Sequence, residues 1–151
     1  MFFIDFNPLS TVFWEDNWKP TSYFDKILKN RKQGYHTLCL LDIKMKEQSN
    51  ENLMRGNNVF EPPRWMTCQQ CAVQFLEILE KPEYENCGIT KDQLVIGVSK
   101  VGSEEQKIVS CSLEKMAEQN WLGAPLHSLV LPSEVIHDLE MDFVNTFNLK
   151  E

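Results

Sequence analysis

The 151-residue sequence contains no apolar run long enough to cross a membrane. Its opening, MFFIDF, is apolar but short and has no basic flank, which argues against a secretory leader. A basic excess is absent too: 15 Lys and Arg stand against 22 Asp and Glu, a formal net charge of -7. Non-specific nucleic-acid binding needs a basic face and is therefore not expected, whereas a basic protein partner is permitted. The five cysteines are odd in number and lie beside apolar residues, as in LCLL around Cys39 and VSCSL around Cys111. They read as small buried hydrophobes in a reducing, cytosolic compartment rather than as a secreted disulfide framework. There is no internal repeat and no low-complexity linker, and a chain 42% hydrophobic and 25% charged suits one domain with one core.

Leu9 to Trp14 reads as a short strand closed by the polar turn Glu15 to Pro20. Ser22 is placed to cap a helix with the stripe Tyr23, Phe24, Ile27 and Leu28, and Gly34 to end it. Thr37 to Ile43 is almost continuously apolar, the mark of a strand buried on both faces in the middle of a sheet. Lys44 to Arg64 is a polar loop long enough to carry function. Thr67 can cap the next helix, with Ala72, Phe75, Leu76 and Leu79 on one face and Pro82 stopping it. Leu94 to Val98 and Ile108 to Cys111 form a predicted hairpin around Gly102. A short helix bearing Leu113, Met116 and Ala117 follows, then a strand over Leu126 to Leu131. Ser133 is read as the cap of a last helix with the stripe Ile136, Leu139, Phe143 and Phe147. The order β-α-β-α-β-β-α-β-α predicts an α/β fold with a mixed β-sheet flanked by helices.

Chemical motifs are sparse. Cys68-Gln-Gln-Cys71 has the spacing of half a zinc site, but Cys87 and Cys111 are single and oddly spaced, so two core-facing helix residues are expected and no metal. His36, His127 and His137 are scattered, with no HxxxH pair and no Ser/His/Asp order. There is no Walker loop and no GxGxxG. On motifs alone the chain is an α/β domain without an assignable chemistry.

Five blocks nevertheless form a pattern: VFWEDNWKP (Val12 to Pro20), HTLCLLDIKMKEQS (His36 to Ser49), ENLMRGNNVFEPPRWM (Glu51 to Met66), VIGVSKVGSEEQKI (Val95 to Ile108) and LGAPLHSLV (Leu122 to Val130). Together they resemble the diphthine synthase family, in its eukaryotic wording, within the tetrapyrrole methylase superfamily. The resemblance runs from about Val12 to about Phe147. It implies an S-adenosyl-L-methionine-dependent methyltransferase of diphthamide biosynthesis, which methylates the 3-amino-3-carboxypropyl-histidine of translation elongation factor 2 to diphthine or its methyl ester. Members have two α/β domains with the cofactor in the cleft between them. The GDP-containing loop of their N-terminal domain has no counterpart here, so residues 10–151 correspond to the C-terminal domain and residues 1–9 to a divergent tail.

Three cofactor positions of the family map onto Leu41, Val101 and His127. Leu41 ends an apolar strand, where it can pack the adenine; without the resemblance it would read as plain core. Val101 precedes Gly102, whose missing side chain lets a ligand approach the backbone; otherwise it is a hairpin residue. His127 follows Pro125, and either its backbone or its imidazole could bond the adenine or ribose; otherwise it is a satisfied histidine at the edge of the core. Lys44, Lys46 and Arg64 are candidates to pair with the substrate carboxylate, against the alternative of a solvated loop. No catalytic base is assigned, because the sulfonium is already activated and methyl transfer needs alignment above all. The resemblance also implies a homodimer in the cytoplasm, with elongation factor 2 as the protein substrate. Two other readings remain: a non-catalytic binding or dimerisation module that keeps the domain fold, and another methylase of the same superfamily acting on a small molecule.

Overall fold

The computed structural model describes residues 6–149. A five-stranded mixed sheet forms its centre, in the order β1-β2-β7-β5-β6. Strands β1 (Phe6–Ser10) and β2 (His36–Leu40) are parallel; β2 pairs antiparallel with β7 (His127–Leu131), which pairs antiparallel with β5 (Leu94–Ser99). Strand β6 (Lys107–Ser112) completes the expected hairpin with β5. Helices α1 (Ser22–Lys32), α3 (Cys68–Leu79) and α4 (Leu113–Glu118) pack on one face, and α5 (Asp138–Asn145) lies over part of the other. The α/β class and the mixed sheet flanked by helices are as the sequence predicts. Among the described residues no helix is long and apolar enough to cross a membrane.

Side-chain alternation explains the two faces. In β5, Val95, Gly97 and Ser99 are buried while Leu94, Ile96 and Val98 are half-buried. The first set meets Cys39, Leu129 and Leu131 of the neighbouring strands and the fully buried Phe24, Ile27, Phe75 and Ile78 of α1 and α3. Gly97 is required there: a Cβ would sit 2.8 Å from Leu122 Cδ1 and 3.1 Å from Met116 Cε. The second set faces Phe143, Val144 and Phe147 across an apolar hollow of about 180 Å³. None of the residues of α5 is buried, so the second face is only half-covered.

Several boundaries differ from expectation. The first strand is Phe6–Ser10, not Leu9 to Trp14, so residues 6–9 belong to the sheet, whereas residues 1–5 lie outside the described residues. Val12, Phe13 and Trp14 are apolar because they pack against the core from a coil. Ser22 is the first residue of α1, not its cap; Thr21 takes that position without a side-chain cap bond, its hydroxyl accepting from Tyr84 Oη at 3.1 Å. The apolar run after Thr37 breaks at Leu40, because Ile43 leaves for a separate two-stranded ladder, β3 (Ile43–Lys44) with β4 (Arg64–Trp65). The intervening loop holds a short helix, α2 (Asn50–Met54), capped by Ser49. The cap of the last helix is His137, in a capping box with Glu140, rather than Ser133.

The cap predicted at Thr67 is present. Its hydroxyl accepts from Gln70 N at 3.2 Å, while Gln70 Oε1 accepts from Thr67 N at 2.9 Å. Losing such a cap costs about 1 kcal/mol. Thr67→Ala is therefore expected to lower the melting temperature by roughly 2–4 °C, read by far-ultraviolet circular dichroism. An unchanged transition would show that α3 is held by packing alone.

A candidate ligand edge at one end of the sheet

The strand directions bring the motif blocks together. The C-terminal ends of β1, β2 and β5 and the start of β7 all lie at one end of the sheet. Leu40 pairs with Ser128, and Ser128 with Val98; one step further, His127 pairs with Ser99 and Leu41 follows Leu40. Val101 is two residues beyond Ser99, in the β5–β6 turn. Leu41, Val101 and His127 therefore share one end of three neighbouring strands, although 86 residues separate the first from the last in sequence (127 − 41).

Their environments differ. Leu41 is buried at 9% exposure and Val101 is 67% exposed at its turn. That turn needs two left-handed residues, Lys100 at φ 48° and Gly102 at φ 85°, and is closed by Ser103 N donating to Lys100 O at 3.1 Å. Lys100 is also paired with Glu105. Exposed Leu40 and Leu126 extend the apolar rim. An open hollow of about 430 Å³, bordered by Ser99, Leu122 and Ala124, adjoins it.

His127 is 5% exposed, and both ring nitrogens are already engaged. Nδ1 accepts from Cys68 N at 3.3 Å and Nε2 donates to Ala124 O at 3.0 Å. These partners select the Nε2–H tautomer. Burial pushes the imidazole pKa below its ordinary value, against the opposing pull of the Ala124 and Gly123 backbone, so the ring is neutral at pH 7. The side chain ties the start of α3 to the turn before β7. Its polar atoms are spent on the protein, which leaves the backbone at this position and the apolar groups around it to face a ligand.

The second group of candidates sits on the small ladder. Lys44 and Arg64 are opposite each other in the β3–β4 register, and each binds a different oxygen of Glu47: Lys44 Nζ to Oε1 at 3.1 Å, Arg64 Nη2 to Oε2 at 3.0 Å. Hydrogen bonds from Arg64 and then Lys44 hold the Glu47 carboxyl below its usual pKa range. The Arg64 guanidinium lies 5.2 Å from the centroid of the Phe13 ring. Lys46 is exposed in a left-handed conformation, φ 55°, and the structure does not bring it into this cluster. Asp42 joins the two regions, since its carboxylate accepts from Phe13 N at 2.9 Å and its carbonyl from Met66 N at 2.9 Å. Asp42 and Glu47 were not among the residues singled out from sequence, although both lie in the block His36 to Ser49.

The two cysteines of the CxxC are core residues, as expected: both are buried, and desolvation raises the thiol pKa of each, that of Cys68 to about 12. Among the described residues no group of three or more His, Cys, Asp and Glu could hold a metal ion.

Comparison with known proteins gives this edge a context. No family model matches the chain. It is 47% identical over 145 residues to the diphthine methyl ester synthase of Bos taurus, and 53% identical over 140 residues to that of Yarrowia lipolytica. Its relatives are diphthine methyl ester synthases. The match covers 95% of the chain but 50% of the bovine protein and 45% of the yeast one, so the chain spans about half the length of the curated relatives it matches. A crystal structure assigned as a diphthine synthase of Entamoeba histolytica superposes with a TM-score of 0.83 at 34% identity, over 99% of this chain and 53% of that one. A further diphthine synthase structure, 23% identical with a TM-score of 0.64, shares the fold.

Proposed function

We propose that the chain supplies the C-terminal half of an S-adenosyl-L-methionine-dependent methyltransferase of diphthamide biosynthesis. Its protein substrate would be translation elongation factor 2, bearing a 3-amino-3-carboxypropyl-histidine. The observation that supports this most is the gathering of all five resemblance blocks at one end of the sheet, around Leu41, Val101 and His127. Leu41 and Val101 fit one wall of a cofactor cleft, with the apolar contacts an adenine ring takes. His127 fits as the group that holds the turn before β7 in place. The opposite wall would come from the domain that the relatives have in addition. The cofactor supplies an activated methyl group; these residues bind, orient and exclude water. Lys44 and Arg64 would meet the carboxylate of the modified histidine. We place the complete enzyme in the cytoplasm as a homodimer.

One wall of a cleft leaves most of the cofactor in water. Calorimetry on the isolated chain is therefore expected to show S-adenosyl-L-methionine binding weaker than about 100 μM. Adding the part of the bovine relative that does not align with this chain should restore tight binding and methyl transfer to unmodified-amine elongation factor 2. Micromolar binding by the chain alone would overturn the two-wall reading. A mixture in which the halves associate without any methyl transfer would favour a non-catalytic module.

A further inference from the structure

We propose that Lys44 and Arg64 form a seat for one carboxylate, and that Glu47 is its resident occupant, displaced when a carboxylate-bearing ligand arrives. This rests on the reading of Lys44 and Arg64 as contacts for the substrate carboxylate and adds a device that controls them. The two cations come from facing strands and take one oxygen each of a single carboxylate, the arrangement a free carboxylate would adopt. The seat has a fixed floor: the guanidinium lies against Phe13, and Phe13 N is held by Asp42. Beside that floor runs an open groove of about 840 Å³ that includes Phe13, Trp14, Arg64 and Trp65, so a carboxylate on a larger partner can reach Arg64.

Glu47 is built to leave without disturbing the fold. Its backbone carbonyl accepts from Glu61 N at 2.8 Å, so the main chain stays anchored while the side chain rotates. The side chains of Glu47, Lys44 and Arg64 are 31%, 24% and 54% exposed, and exposed ion pairs are individually weak. Exchanging one carboxylate for another is therefore close to neutral in free energy. Asp42 and Glu15 also act on Lys44, but Asp42 is engaged by Phe13 N. While Glu47 is in place, the seat rejects stray anions and keeps both cations aligned. A ligand must outcompete an intramolecular carboxylate at high effective concentration, so only one positioned by further contacts succeeds.

The test uses the isolated chain, with acetate as probe and chloride at matched ionic strength as reference. Side-chain nitrogen resonances of Arg64 and Lys44 report binding. Acetate should shift both saturably, and Glu47→Gln should tighten the apparent affinity by roughly three- to tenfold. Arg64→Gln should abolish the shift at Lys44. Equal affinity in the wild type and in Glu47→Gln, or no saturable shift in either, would overturn the proposal. So would unfolding of both Glu47→Gln and Glu47→Ala, since a displaceable side chain is not one the fold needs. L-2-Aminobutyrate, which ends like the aminocarboxypropyl group, separates the two levels. If acetate binds and aminobutyrate does not, the seat stands and the substrate reading fails.

Discussion

Phe75→Ala is expected to destabilise the chain by about 3–5 kcal/mol, the usual cost of removing a buried aromatic ring. Phe75 is fully buried on α3, and its ring meets Phe24 of α1 edge-on at 5.4 Å and Tyr23 at 6.1 Å. Phe24 in turn meets Tyr84 edge-on at 5.3 Å. The ring thus joins two helices and the turn after the second to the sheet, and little nearby can collapse into the space it leaves. For a domain of this length the melting temperature should fall by roughly 6–20 °C. Val73, two residues away on the same helix, is 47% exposed, and Val73→Ala should cost less than about 1 kcal/mol. Urea unfolding of both variants checks this. A cost below about 1 kcal/mol for Phe75→Ala would mean that the aromatic cluster is not the centre of the core.

The contrast between those two positions shows why most of the fold was readable. Cys68, Cys71, Ala72, Phe75 and Ile78 recur at helical spacing, and all five are buried. In β5 and β7 the apolar residues are continuous and both strands lie inside the sheet, so pattern and position agree. Strand β1 fails the same test for a physical reason. It is an edge strand with only Leu9 buried, and it tolerates Pro8 because an edge has a free side. The apolar letters that follow it, Val12 to Trp14, cover the core as coil, so composition pointed four residues too far along. At the other end, Ile136 and Phe147 suggested a longer helix than exists, because both line the half-covered face from outside α5.

Little of the site was legible from residue chemistry. Leu41 and Val101 carry no functional group, and no periodicity marks them. Only the crossing of strands distant in sequence puts them beside His127. The charged cluster is local, Lys44 and Glu47 being three apart, yet its meaning depends on Arg64 arriving across the β3–β4 ladder. Asp42 could have been suspected as a polar residue closing an apolar strand, but its bond to Phe13 N joins segments 29 residues apart.

The same geometry changes what His127→Ala should do. A histidine that bonded the cofactor through its ring would lose affinity on truncation with little change in melting. Here the ring bonds Cys68 N and Ala124 O instead. Truncation leaves a buried N–H and a buried carbonyl without partners and opens a small cavity. The expected cost is about 2–4 kcal/mol of stability. His127→Asn, which keeps an acceptor near the Nδ1 position, should recover part of it. The pH dependence supplies an independent check. The folded-state pKa lies below the ordinary value of 6.5, so the unfolded chain takes up the proton first as pH falls. Stability from this group is fully present above about pH 6.5 and is lost as pH drops from there towards the folded value. The lowered carboxyls of Glu47 and Glu105 weaken the fold only nearer and below 4.5, so the two effects separate. Melting curves at pH 8, 7, 6 and 5 should slope downward for the wild type and run flatter for His127→Ala, because the variant has nothing there to protonate. If the variant melts like the wild type at pH 8 yet loses cofactor affinity in the assembled enzyme, the ring is a ligand contact and its place in the fold is incidental. Matched losses of stability and affinity, with partial rescue of both by asparagine, would instead show that His127 acts on the cofactor through the turn it holds.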